Sequence, residues 1–151
     1  MAIYVQNVLR IDGAEDDVVK VRRFVQSEKA LFDFNRVRPI IRFMQTVEEK
    51  IKCWGTKGNA INAMYHEDDG SFTFQSLNSS PVPIIACLAS RFPQCDFTLQ
   101  WADESGENCG EVAYRKGWEV ICFYAEEGSR EQAGIYRCCW NQPISEEGDD
   151  V

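Results

Sequence analysis

A single histidine, His66, serves the whole 151-residue chain, and that scarcity removes several chemistries at once. Structural zinc takes four ligands, usually Cys and His in close pairs. The seven cysteines (Cys53, Cys87, Cys95, Cys109, Cys122, Cys138 and Cys139) contain no CxxC pair. No metal site and no cofactor are expected. Nucleophilic catalysis by cysteine needs a base, usually imidazole, held by a third group. His66, beside Glu67, is the one imidazole on offer, and nothing in the sequence selects the thiol that would meet it. No catalytic residue is therefore expected.

Other absences narrow the field further. No stretch approaches the roughly 20 apolar residues that span a bilayer, so no membrane partner is expected. The opening Met1–Asn7 lacks a basic stretch followed by an apolar one, so it does not read as a signal peptide. Gly55-Thr56-Lys57-Gly58 sets Thr and Lys in the reverse of phosphate-loop order and runs into a strand, not a helix. Acidic clusters at 15–17, 67–69, 103–107 and 146–150 fall at helix starts, turns or the tail, where solvation explains them. Internal repeats and domain-separating linkers are missing too.

What is present suffices for a core. Hydrophobic residues are 44% and aromatics 12% of the chain, and a domain of this size buries roughly 70% of the surface its unfolded chain exposes. The expected organisation is one domain over residues 1–141 with an acidic tail at 142–151. The odd, scattered cysteines do not read as a disulfide framework. Ile85-Ala86-Cys87-Leu88 and Val120-Ile121-Cys122-Phe123 place two of them inside apolar runs, as small buried hydrophobes. That usage fits a reducing cytoplasm.

Periodicity supplies the elements. Ile3, Val5, Leu9 and Ile11 alternate in a strand that Gly13 ends, and 14–27 follow as a helix with Val18, Val21 and Val25 on one face. Residues 28–39 read as irregular. From Ile40 a second helix is expected, with Ile40, Met44, Val47 and Ile51 as its apolar stripe. Trp54–Gly58 reads as a turn. Strands at about 59–66 and 71–77 join through Asp69-Gly70, a hairpin signal. Pro81 and Pro83 open a helix whose core face is Ile84, Ile85, Leu88 and Phe92. Phe97, Leu99 and Trp101 alternate in a strand, a hairpin at 110–116 and 118–125 turns at Lys116-Gly117, and 129–140 form a short helix. The order gives an α+β fold: a ferredoxin-like antiparallel sheet covered by helices, with a C-terminal β-hairpin and a short helix.

Four segments carry a likeness to a known family: Asn7–Gly13, Phe32–Pro39, Trp54–Ala60, and Phe74–Pro83 with the helix ending Arg91-Phe92-Pro93. They resemble, in order, the Asn-x-Leu-x-Val-x-Gly, Asp-Phe-Asn, Trp-Gly-Thr-Lys and Phe-x-Thr-Ala-Trp-Ser-Pro-Pro patterns of YubB-type phage and plasmid proteins. Tyr4, Val5, Gly58, Asn78 and Ser80 depart from that pattern, and three of its tryptophans are lost with them. The resemblance implies a ferredoxin-like domain of mobile-element origin in a bacterial cytoplasm. It supplies no activity.

Charge adds a direction. The net charge is −8, yet residues 20–57 hold ten Lys/Arg against four acids, leaving −14 for the remainder. Arg36, Arg38 and Arg42 in that basic band, and the Trp54-Gly55-Thr56-Lys57 run, are the candidate binding residues. Trp54 and Lys57 at a strand entrance would stack on and pair with an anionic ligand. The structural alternative is that Trp54 caps the core, Gly55 permits a tight turn and the stem of Lys57 covers apolar surface. An RNA-binding strand with interleaved aromatics and cations is missing, since Phe72 and Phe74 have only Ser71, Thr73 and Gln75 as polar neighbours. Three functions stay open. The first is a non-enzymatic protein binding a host protein or nucleoprotein complex, with counter-defence as one form. The second is a nucleic-acid-binding module using 20–57, and the third is an enzyme with a cysteine-based site. Oligomeric state is not legible.

Overall fold

In the computed structural model, residues 3–144 are described; the acidic run 146–150 of the expected tail lies outside them. Strand β1 (Tyr4–Asp12) leads into helix α1 (Glu15–Val25) and the short helix α2 (Phe34–Val37). A single 3-10 turn, Arg42–Met44, precedes helix α3 (Val47–Trp54). There follow β2 (Ile61–His66), β3 (Ser71–Leu77), α4 (Val82–Arg91), β4 (Asp96–Asp103), β5 (Cys109–Arg115), β6 (Trp118–Tyr124) and α5 (Arg130–Trp140).

The six strands form one antiparallel sheet in the order β2-β3-β1-β4-β5-β6. Strands β2, β3, β1 and β4 are arranged as in the split βαβ ferredoxin-like unit, and the β5–β6 hairpin widens the sheet beyond β4. The fold is α+β and ferredoxin-like, as the sequence order indicates.

Alternation decides which side chains enter the core. Val5, Leu9 and Ile11 of β1, Phe72 and Phe74 of β3, Phe97, Leu99 and Trp101 of β4, and Val112 and Tyr114 of β5 share one face. Val21 and Val25 of α1, Phe34 of α2, and Ile84, Ile85 and Leu88 of α4 close over it. Phe32, Phe34, Phe72 and Phe74 meet with ring centroids 5.0–5.9 Å apart, contacts worth about 0.5–1.5 kcal/mol each beyond their burial.

Helix α5 lies on the opposite face, where Ile135, Tyr136 and Cys139 pack against Val8, Ala102 and Cys109. Ser129 starts it by accepting a hydrogen bond from the amide of Gln132 at 3.1 Å, and Trp140 Nε1 ties its end to the carbonyl of Ala102 at 2.9 Å. The sheet thus carries helices on both faces.

Three local expectations are corrected. The helix expected from Ile40 is broken: Thr46 caps a fresh helix by accepting from the Glu49 amide at 3.2 Å. Ile40 is buried, whereas Met44, Val47 and Ile51 of the expected stripe are exposed. The stretch read as irregular contains α2, capped by Asp33, which accepts from the amide of Asn35 at 3.0 Å. Cys122 stands exposed on the outer strand β6 instead of buried in an apolar run.

Candidate functional site

The segments that look most like motifs are interlocked in the scaffold. Trp54 ends α3 inside the core, 2% exposed, and its Nε1 donates to the carbonyl of Arg38 at 2.9 Å. Its ring meets Phe34 edge-on. No face of Trp54 is left for a ligand to stack on. Gly55 caps the helix at φ 81°, and a Cβ there would meet the Pro83 ring, so glycine is required on both counts. The buried Thr56 hydroxyl donates to the carbonyl of Leu77 at 2.7 Å, and Ser79 Oγ donates to the carbonyl of Gly55. Lys57 is half-buried beside them.

The network continues through β1. Asn7, fully buried, donates from Nδ2 to Ser76 Oγ at 2.9 Å and accepts from Ser80 Oγ at 2.7 Å. Ser76 Oγ in turn donates to the Ser79 carbonyl at 2.7 Å. The Asp-Phe-Asn segment locks on from the other side. Asn59 donates to Asp33 Oδ1 and accepts from the amide of Phe34, both at 2.8 Å, while Asn35 Oδ1 accepts from the amide of Ile40 at 2.8 Å. Buried polar groups are costly unless paired, and among the described residues no buried side-chain nitrogen or oxygen is left without a partner.

The basic band is likewise partly committed. Arg36 Nε donates to the carbonyl of Phe24 and Arg38 Nη1 to that of Cys53, each at 3.0 Å. Arg22 stacks on Tyr65 at 3.7 Å and pairs with Glu67 at 3.6 Å. Arg42 is exposed and forms no ion pair among the described residues. The structure therefore brings Arg38, Trp54, Gly55 and Thr56 together as a scaffold and leaves Arg42 apart, facing solvent.

Around Arg42 lies what motif reading missed. Phe43 is 84% exposed and Ile41 60%, with Met44, Val47 and Ile51 exposed beside them in sequence. Isolated exposed apolar side chains are ordinary, but a contiguous set is not. Arg42, Lys50 and Lys52 are interleaved with them. The chain there is anchored by Ile40 on one side and Trp54 on the other, so the ridge 41–52 is presented by rigid supports. The signal was legible in Ile40-Ile41-Arg42-Phe43-Met44, four apolar residues in a five-residue run that one helix face cannot bury together.

The reactive side chains do not converge. His66 Nε2 lies 2.8 Å from Thr73 Oγ1, a hydroxyl partner and not a thiol. Burial pushes the thiol of Cys109 up to about 11, with Asp103 adding to the effect, and burial raises Cys95 and Cys139 as well. Such thiols are poor nucleophiles at neutral pH. No three His, Cys, Asp or Glu side chains among the described residues are grouped to hold a metal ion. No helix among them is long and apolar enough to cross a membrane.

Comparison with known proteins gives a family match. A family model described as the ferredoxin-like domain in Api92-like protein matches residues 54–139, which includes β2 to β6 and leaves the ridge just before it. Among solved structures the chain is similar to the protein api92 from Yersinia pseudotuberculosis, at 17% identity and a TM-score of 0.46. That likeness covers 56% of this chain and 31% of the other, so the chain spans about a third of the solved protein's length. Curated proteins give no match.

Proposed function

Starting from a chain that belongs to the Api92-like family through its ferredoxin-like domain, we propose that it is a non-enzymatic binding protein of phage or plasmid origin. On this reading it engages a host protein or nucleoprotein complex through the ridge 41–52. The observation that carries the proposal is Phe43, held out in solvent beside Arg42 while its sequence neighbour Ile40 and the nearby Trp54 are buried. The complementary partner is a protein surface with an apolar groove and an acidic rim, able to take Phe43 and Ile41 and to pair with Arg42, Lys50 or Lys52. Aromatic and Arg anchors of this kind dominate interface energies. Origin in a YubB-type mobile element, and with it a counter-defence role against CRISPR or restriction machinery, is one form of the proposal. The strongly acidic remainder of the chain supports that form, because it can compete for nucleic-acid-binding surfaces by charge.

The test begins with capture from bacterial lysate at physiological salt, by the wild-type chain and by an Arg42→Glu/Phe43→Ser variant. Each captured protein is then purified and titrated against both. A purified partner that binds wild type at least about tenfold more tightly than the variant, a difference of about 1.4 kcal/mol, is the expected result. Equal affinity, or no purified protein that rebinds, overturns the proposal. DNA and RNA titrated across a salt series form the second arm. Binding that weakens steeply with salt and ignores Phe43→Ser would transfer the function to the basic band 20–57.

A further inference from the structure

Residues 41–52 have little hold on the rest of the molecule. None of them is buried, and none packs into either apolar cluster of the domain. Among the described residues, their hydrogen bonds run only to partners within 40–55, and neither ion pair involves them. Helices in proteins are normally stabilised by packing an apolar face. Helix α3 reaches the core only through its last two residues, Cys53 and Trp54.

The segment is held at its neck instead. Trp54 Nε1 donates to the Arg38 carbonyl at 2.9 Å, and Arg38 Nη1 donates in return to the Cys53 carbonyl at 3.0 Å. On the entering side, Asn35 Oδ1 accepts from the Ile40 amide at 2.8 Å. These ties are unequal. Trp54 is 2% exposed and Ile40 7%, so neither anchor leaves without exposing apolar surface. Arg38 is half-buried at the surface. The carbonyl it serves lies in the last turn of α3, among those that a helix leaves without an internal partner. Its charge also suits the negative end of the helix dipole. Releasing it uncovers no core side chain.

We propose that residues 41–53 open and close as one unit while the sheet stays folded, and that Arg38 is the positioning residue that latches the closed form. Opening unwinds the 3-10 turn and the exposed turns of α3 between two fixed points, Ile40 and Trp54. Local openings of this kind lie below global unfolding in free energy. Closed, the segment presents Arg42 and Phe43 in one arrangement; open, it presents an ensemble. The consequence for a partner rests on the proposed function: a surface that fits the closed ridge binds in proportion to the closed fraction. The opening itself does not rest on it.

Hydrogen exchange of the full chain, followed amide by amide, tests the latch. In the wild type, the amides of α3, including Lys50 bonded to the Thr46 carbonyl, should exchange at least about tenfold faster than those of β1 and β4. Arg38→Met keeps the stem and removes the guanidinium. It should speed α3 about tenfold more, as the loss of one charged hydrogen bond requires, and change β1 and β4 less than about threefold. Arg115→Met, which removes a guanidinium from the Tyr114 carbonyl, should leave α3 unchanged. Trypsin cuts after Lys and Arg, and should nick the native wild type first after Arg42, Lys50 or Lys52. Any of three results overturns the proposal: α3 exchanging no faster than the sheet, an Arg38→Met effect that is absent or equal in the sheet, or a first cut outside 41–53. A purified partner should slow exchange over the ridge. One that leaves it unchanged would bind elsewhere, which defeats the proposed function and leaves the latch standing.

Discussion

Trp54 and Phe43 belong to one short stretch of chain, and the structure treats them in opposite ways. Trp54 is enclosed by Phe34 and Arg38 with its indole proton bonded to backbone, whereas Phe43 projects into solvent. The residues that most resemble a motif are those whose polar atoms are satisfied internally, and so they position the chain. The residues without a motif are left with unspent contact surface. A buried, hydrogen-bonded signature is evidence about folding. An exposed apolar side chain on a rigid support is evidence about partners.

The sharpest way to break this contrast is to truncate the buried side. Trp54→Ala should destabilise the chain by about 3–5 kcal/mol, the usual cost of removing a large core aromatic. Urea unfolding midpoints would measure it, and a loss under about 1 kcal/mol would mean that Trp54 is no core residue. The polar clamp comes next. Asn7→Leu strands the hydroxyl of Ser80 and removes the donor to Ser76 Oγ, which keeps its bond to the Ser79 carbonyl, and an unsatisfied buried group costs about 1–3 kcal/mol. The same unfolding assay, with the Asn7→Leu/Ser76→Ala/Ser80→Ala triple variant regaining part of the loss, tests that the clamp acts as a unit.

A smaller effect reports the interior through its thiols. Burial raises Cys109 to about 11 from the ordinary 9.0 and raises Cys95 and Cys139 in the same direction. Below pH 9 folded and unfolded chains both hold these protons, so the full stability is present. Above it the unfolded chain releases protons that the folded chain keeps, and stability falls with rising pH. Urea midpoints should therefore drop between pH 9 and 11, and the drop should lessen in Cys109→Ala. A flat profile would contradict the burial of these thiols.

Much of the sheet was readable because alternation is a direct imprint of burial. Val5, Leu9 and Ile11 against Phe72, Phe74, Phe97 and Leu99 fix both the strands and the face they share. The misread helix has an identifiable cause. Ile40, Met44, Val47 and Ile51 keep helical spacing across a break, and the capping pair Thr46 and Glu49, three residues apart, was the stronger signal for where the helix begins. The ridge and the outer face of β6 were hidden for another reason. Apolar character alone does not say whether a side chain finds a partner within the chain. That depends on the strand order, which puts β6 at an edge, and on the cap, which turns Phe43 out of the helix.

The central claim is that the apolar side chains at the tip of the ridge contribute nothing to the fold and are free for a partner. Thermal unfolding of an Ile41→Ser/Phe43→Ser double variant tests it most directly. The account predicts a melting temperature within about 3 °C of wild type, since exposed substitutions cost about 0.5 kcal/mol or less each. A drop comparable to that of Trp54→Ala would contradict it, because it would place Ile41 and Phe43 inside the core.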